Sequence, residues 1–89
     1  MPSPRDPLAA LRNLGPASAS MLREAGITSP EALRDLGAVL AFKLVEHRHG
    51  GASINLLYAL HGALLDRHWA ELSLEERAAL RRDAGLPPP

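Results

Sequence analysis

The sequence predicts an all-α protein, a compact domain of five to six helices with a helix-hairpin-helix-like N-terminal half. Three observations predict this fold class. Apolar residues recur at helical spacing, and serine, proline and glycine stand where helices begin and end. No stretch shows the strict alternation of apolar and polar residues that is typical of a strand. The chain has 89 residues, 46% of them hydrophobic, which is enough for one core.

The composition also predicts the domain organisation. Residues 1–7 contain three prolines and predict a flexible N-terminal arm, while residues 87–89 form a proline tail. Residues 8–86 between them predict one helical domain. The N-terminus lacks the basic region and apolar run of a signal peptide, and no apolar run approaches the roughly 20 residues that span a membrane. We therefore expect a cytoplasmic protein without membrane contact.

The first two predicted helices flank the stretch Asn13-Leu14-Gly15-Pro16. A short helix that runs into this stretch is predicted by the spacing of Leu8, Leu11 and Leu14. Pro16 suits the first position of the second helix, where its missing N–H costs no hydrogen bond. Gly26 predicts the end of that helix in a Schellman cap, in which Leu22 and Ile27 would meet.

The middle of the chain predicts two further helices. Thr28 or Ser29 caps the first of them, Pro30 opens it and Gly37 ends it. The second covers residues 38–49 and stops at two consecutive glycines. Its predicted buried face consists of Ala38, Ala41, Phe42 and Val45.

The most apolar segment predicts a long helix over residues 53–69, capped by Ser53. Its polar residues Asn55 and Asp66 fall on one narrow stripe, so the helix is either buried on nearly all sides or shared with a partner on one side. In the second case, the predicted interaction surface consists of Leu56, Leu60, His61 and His68.

The last predicted helix begins at the capping box that Ser73 and Glu76 form. Arg81 and Arg82 stand in its final turn, where positive charge is favourable. Gly85 predicts its end, and the prolines that follow exclude a continuation.

The charge balance bears on the class of partner. Ten basic and ten acidic residues cancel, and the pI is 6.9. Dedicated nucleic-acid-binding proteins carry a basic excess, so this balance favours another kind of partner. Cysteine is absent, which excludes disulfides, thiolate metal sites and thiol nucleophiles.

The turn before Pro16 is the one candidate site for a phosphate. An asparagine tolerates a left-handed conformation, and backbone N–H groups at a helix start attract anions. Between Leu8 and Gly37, however, three arginines are balanced by three acids, which favours a purely structural turn. Both alternatives stay open here. The predicted contacts to a DNA backbone come from Asn13, Gly15, Ala17 and Ser18.

Several short motifs together resemble the C-terminal domain of the TfoX/Sxy family. They occur in order across residues 8–80: Asn13-Leu14-Gly15-Pro16, Ala25-Gly26-Ile27-Thr28, Leu36-Gly37-Ala38-Val39, Leu57-Tyr58-Ala59-Leu60, Gly62-Ala63-Leu64 and Trp69. The resemblance implies a small all-α fold and an association with regulators of natural DNA transformation, which promote transcription of competence genes. It implies no catalytic residue and no cofactor. Longer family members carry an N-terminal α+β domain, which this sequence does not supply.

No pattern predicts catalysis or a metal site. The histidine pairs His47/His49 and His61/His68 each lack an evident third ligand. No serine lies in a Gly-x-Ser-x-Gly elbow. We expect a non-enzymatic protein of one of two classes. One is a regulatory module that contacts duplex DNA weakly and without sequence specificity, and the other binds a transcription-regulatory protein or a second copy of itself.

Overall fold

The computed structural model describes residues 6–87 and confirms the all-α prediction. In this part of the chain, four α-helices and one short 3-10 helix alternate with turns, and no strand is present. The helices are α1 (Pro16–Glu24), α2 (Pro30–His49), α3 (Ile54–Leu65), the 3-10 helix (Trp69–Glu71) and α4 (Leu74–Asp83). The predictions for residues 1–5 and 88–89 lie outside the described residues.

A leucine-rich core holds the helices together. The most extensive contact is between α2 and α3, while α1 packs on α2, and α4 and the 3-10 helix pack on α3. No polar or charged residue in the described part of the chain is buried. The largest fully buried side chains are Leu8, Leu22, Ile27, Leu33, Val45, Leu57 and Leu60.

The segment before α1 differs from the prediction. Residues 7–13 form consecutive turns instead of a first helix, so the helix-hairpin-helix lacks one of its two helices. Asp6 caps the first of these turns, because its carboxylate accepts the Leu8 N–H at 3.0 Å. The left-handed backbone of Asn13 (φ 71°) then ends the run before a regular helix can form.

The helix ends around α1 and α2 follow the sequence signals. After α1, the Ile27 N–H donates to the Leu22 carbonyl at 2.9 Å, which is the predicted Schellman bond. Ser29 caps α2 by accepting the Ala32 N–H at 3.1 Å. The two helices predicted from 30 to 49 form one helical unit with a break at Gly37, where φ is 82° and ψ is 164°.

Helix α3 is shorter than predicted. It ends at Leu65, because Asp66 adopts a left-handed conformation (φ 54°) and the Arg67 N–H donates to the Gly62 carbonyl at 2.8 Å. The prediction of a helix through residue 69 is therefore wrong at its C-terminal end. Asp66 fills the position that glycine takes in the other helix ends.

Helix α4 has the predicted ends. Ser73 and Glu76 form the capping box, and Gly85 ends the helix with φ 76°. None of the helices in residues 6–87 has the length and hydropathy needed to cross a membrane.

Candidate functional site

The turn at Asn13–Pro16 keeps only part of the predicted geometry. Asn13 is left-handed, as predicted, and Leu14 is buried. Gly15 has an extended backbone (φ −128°, ψ −171°), and a Cβ built on it meets no atom within 4 Å. The turn thus needs a left-handed residue at position 13 and does not need glycine at position 15.

The Asn13 side chain links the turn to the middle of α3 and to the residues just after that helix, through three hydrogen bonds that we call the clasp. Its Nδ2 donates to the Arg67 carbonyl at 2.8 Å and to the Ala59 carbonyl at 3.4 Å. Its Oδ1 accepts the Trp69 N–H at 3.1 Å. Because both ends of the amide are occupied within the fold, this side chain is not free to bind a phosphate.

Gly62 makes room for this clasp. A Cβ on Gly62 would lie 2.5 Å from Asn13 Nδ2 and 2.6 Å from the Arg67 carbonyl oxygen. A side chain at this position would push the turn away from α3. Gly62 is therefore a structural residue of the clasp, and its place within a strongly apolar helix was the available signal.

Within residues 6–87, the two arginines that flank the turn in sequence both form ion pairs. Arg23 forms a forked ion pair with Asp6, with its Nε 3.0 Å from Oδ2. The hydrogen bond from Arg23 holds the pKa of Asp6 below its usual value. Arg12 donates to the Asp66 carbonyl at 3.2 Å and lies 3.9 Å from a carboxylate oxygen of Glu71. In the described part of the chain, these pairings leave neither of the two flanking arginines free for DNA.

The start of α1 retains one feature of an anion site. No side chain caps this helix end, so the backbone N–H groups of Ala17 and Ser18 have no side-chain acceptor. Pro16, at the first position, has no N–H to offer. Contact of Gly15, Ala17 and Ser18 with DNA stays a prediction.

The residues predicted as an interaction surface do not lie on one exposed face. Leu56 and Leu60 are buried in the core of the chain. His61 is half-buried, with Nε2 3.9 Å from an oxygen of Glu76. His68 lies beyond the end of α3, where it accepts the Ala70 N–H and stacks on Trp69. The early end of α3 is what separates the two histidines.

The remaining histidines do not form a metal site. His49 Nε2 lies 2.8 Å from a carboxylate oxygen of Glu24, which joins the end of α2 to α1. His47 is exposed on another side of the helix. Residues 6–87 contain no group of three histidine or carboxylate side chains that could hold a metal ion.

A carboxylate network fixes the start of α4. Glu76 accepts the Ser73 N–H at 2.9 Å and the Arg67 guanidinium at 3.0 Å. These hydrogen bonds, with that from Ser73 first, lower the pKa of Glu76 to about 2. Arg67 also donates to the Glu71 carbonyl at 2.8 Å, so the network stabilises the link between α3 and α4.

The second half of α2 presents an apolar and basic face to solvent. Leu40 and Leu44, one turn apart, are 53% and 40% exposed. At 3.6 residues per turn, they share an arc of about 140° with three exposed side chains of basic type. We define the outer face of α2 as Leu40, Lys43, Leu44, His47 and Arg48.

An apolar cleft of about 420 Å³ adjoins this face. Lys43 and His47 are among the residues that line the cleft, so the cleft and the outer face share these two residues. Glu46 also lines the cleft, but its two oxygens accept the N–H groups of Gly51 and Ala52. The apolar lining consists of Phe42, Ala52, Ile54, Ala84 and Leu86.

The sequence pattern contained a signal for the outer face that the prediction did not use. Leu40 and Leu44 are four residues apart and fall off the predicted buried face of the same helix. Apolar residues on the second side of an amphipathic helix indicate a second surface to cover.

Comparison with known proteins identifies relatives of this fold. A family model described as the TfoX C-terminal domain matches residues 4–84. The chain is 34% identical over 61 residues to the DNA transformation protein TfoX1 of Aliivibrio fischeri. That alignment covers 67% of this chain and 29% of TfoX1, so the chain spans less than a third of that relative's length.

Two solved structures from Listeria monocytogenes share the fold. One, of an uncharacterized protein, has a TM-score of 0.79 and 31% identity, and the alignment covers 83% of this chain and 84% of that one. The other, of a protein of unknown function, has a TM-score of 0.82 and 29% identity, and the alignment covers 88% of this chain and 96% of that one.

Proposed function

Because the chain belongs to the TfoX C-terminal domain family, we propose that it is a non-catalytic regulatory module of DNA transformation that works by binding another protein. The observation that carries the proposal is the outer face of α2. Among the large apolar side chains exposed in residues 6–87, Leu40 and Leu44 are the two that stand one turn apart on one helix. Isolated exposed apolar residues are ordinary, whereas a contiguous set points to an interface.

The charges near the turn favour protein over DNA as the partner. The Asn13 amide, Arg12 and Arg23 all have partners within the fold. Nonspecific affinity for DNA comes mainly from cations that release counterions from the phosphates. Because the flanking arginines of the described chain are paired, we expect the turn to contribute little to DNA binding.

Contact with duplex DNA is a second candidate function, favoured by the uncapped start of α1. It is tested with a Ser18→Glu variant. Glutamate at the third helical position is favourable for the helix but repels phosphate. If α1 binds DNA, the wild-type chain raises the fluorescence anisotropy of a labelled duplex at low salt, and this variant does not. We expect no such binding by either protein.

The protein-binding proposal is tested by allele replacement in the host. The double variant Leu40→Gln/Leu44→Gln removes the exposed apolar surface and keeps residues of good helix propensity. We expect its transformants per viable cell to fall toward the level of a gene deletion. Leu74→Gln is the matched control, because Leu74 is 77% exposed but lies on α4.

Two results would contradict the proposal. Wild-type transformation by the double variant, with a clear defect in the deletion, would exclude the outer face of α2. A deletion without effect would exclude the role in transformation. Equal levels of folded protein, measured in extracts by immunoblot and on purified protein by circular dichroism, are the control for stability.

A further inference from the structure

We propose that the outer face of α2 binds an acidic amphipathic helix of the partner protein. The inference rests on the proposed function and adds the chemistry of the partner. Three features of the described chain support it: the shape of the face, the free cations beside its leucines, and the cleft that adjoins it.

The shape fits a helix as the ligand. The helical turns after the break at Gly37 run to His49 and offer Leu40 and Leu44 as a short apolar ridge. An amphipathic helix commonly binds such a surface by laying apolar residues at i, i+3, i+4 and i+7 against it. The complementary ligand therefore presents leucine-like side chains at this spacing.

The charged residues of the outer face indicate that the partner helix is acidic. Ion pairs to carboxylates within residues 6–87 engage Arg12, Arg23, Arg34, Arg67 and Arg82. Lys43 and Arg48 form no such pair in this part of the chain, and both flank the leucines. Glu46 keeps its negative charge, but it lies outside the outer face, and both of its oxygens bind the backbone N–H groups of Gly51 and Ala52. The outer face itself therefore has two cations and no carboxylate, and acidic residues complement it.

The adjoining cleft offers a place for an anchor residue. Its volume is about 420 Å³, and its walls include the apolar side chains of Phe42, Ile54 and Leu86. A large apolar side chain in such a pocket, surrounded by a polar rim, is the usual form of an interface anchor. Lys43 and His47 line this pocket and also belong to the charged face, so the two surfaces adjoin.

The same charges argue against a second copy of the chain as the occupant. A two-fold interface brings the same patch of both copies together. Lys43 and Arg48 of one copy would then face those of the other, and like charges at an interface are unfavourable. The exposed leucines likewise distinguish this face from a phosphate-binding surface, which needs cations and hydrogen-bond donors.

The test uses the full chain, labelled with ¹⁵N, and two synthetic helical peptides. Both peptides carry leucine at i, i+3, i+4 and i+7. One has glutamate at the flanking positions, and the other has lysine there. We expect the acidic peptide to shift the amide signals of residues 38–49 and of the cleft, and to bind less tightly as salt is raised. The lysine peptide is expected to bind at least about fivefold more weakly.

Charge variants then locate the contact. Lys43→Gln/Arg48→Gln is expected to weaken binding of the acidic peptide about fivefold, which corresponds to two exposed ion pairs. Arg34→Gln is the matched control on the first half of α2 and should leave the affinity unchanged. Amide spectra of both variants show whether the fold is kept.

Four results would overturn the inference: no binding of the acidic peptide, equal binding of both peptides, shifts confined to another surface, or binding of labelled duplex DNA to this face. The proposed function fails separately. If no peptide binds while Leu40→Gln/Leu44→Gln still loses transformation, the chemistry of the partner is wrong and the function stands. If that variant transforms normally, the function is wrong whatever the peptides do.

Discussion

Asn13 connects three parts of the chain through one side chain. Its backbone forms the left-handed turn before α1, and its amide bonds to Arg67 and Trp69 beyond α3. A half-buried polar group of this kind stabilises a fold when its partners are present and destabilises it when they are lost. The turn that resembles a phosphate site is therefore held by hydrogen bonds within the protein.

Asn13→Asp tests the clasp. Aspartate tolerates the left-handed backbone, but its carboxylate cannot donate to the carbonyls of Arg67 and Ala59. We expect the free energy of unfolding to fall by about 1–3 kcal/mol, measured by urea denaturation with circular dichroism. An unchanged value would show that the two donated hydrogen bonds contribute nothing.

Gly62→Ala and Gly15→Ser form a matched pair. Alanine at position 62 gains helix propensity of about 1 kcal/mol, but its Cβ overlaps Asn13 and the Arg67 carbonyl. Overpacking of this kind costs about 1–3 kcal/mol, and contacts this short place it at the upper end, so we expect a net loss of stability. Gly15→Ser should change the free energy of unfolding by less than about 0.5 kcal/mol, because serine suits an extended cap position. Stabilisation by Gly62→Ala would contradict the close approach.

The pKa of Glu76 predicts a dependence of stability on pH. Hydrogen bonds lower this pKa from its ordinary value of 4.5 to about 2 in the folded protein. A carboxylate with a lowered folded pKa contributes stability that is fully present above its unfolded pKa and is lost as the pH falls toward the folded one. We therefore expect urea midpoints to fall between pH 4.5 and 2. Glu76→Gln should flatten this slope, and an equally steep slope in the variant would refute the assignment.

Helix α2 owes its shape to the break at Gly37. With φ at 82° and ψ at 164°, this residue occupies a region that is nearly restricted to glycine. The break separates the capped first half from the second half, which carries both the buried face and the outer face. The break at Gly37 therefore sets the direction in which Leu40 and Leu44 point.

Gly37→Ala distinguishes a broken helix from a continuous one. In a continuous helix alanine would stabilise by about 1 kcal/mol. In the broken helix it is forced into a conformation that costs about 1–3 kcal/mol. We expect a lower melting temperature, measured by circular dichroism, and a rise would mean that the helix is straight.

Local signals in the sequence predicted most helix ends correctly. Ser29, Gly26, Gly37 and the Ser73 capping box act within a few residues, so their effects can be read from neighbours. The end of α3 could not be predicted in this way. It depends on the approach of Asn13, far away in sequence, and on a left-handed Asp66 where glycine is the usual signal. The prediction of a first helix was wrong for a local reason, since the left-handed backbone of Asn13 ends that segment after a few turns.

The choice of partner depends more on how charge is distributed over the molecule than on its net charge of zero. Arg12 and Arg23 beside the turn are paired inside the fold, whereas Lys43 and Arg48, beside exposed leucines, form no ion pair to a carboxylate of residues 6–87. The sequence showed the balance of charges but not the pairing, because Arg23 meets Asp6 and Arg67 meets Glu76 only in the folded chain. The candidate site that the folded chain favours is therefore the outer face of α2, whereas the sequence alone indicated the turn.

The most direct test compares these two surfaces in one host. Transformants per viable cell are counted for Leu40→Gln/Leu44→Gln and for Ser18→Glu, each at wild-type protein level. We predict that the α2 variant falls toward the deletion level and that Ser18→Glu transforms as the wild type does. The opposite result, with Ser18→Glu defective and the α2 variant unaffected, would contradict protein binding through α2 and favour DNA contact at the start of α1.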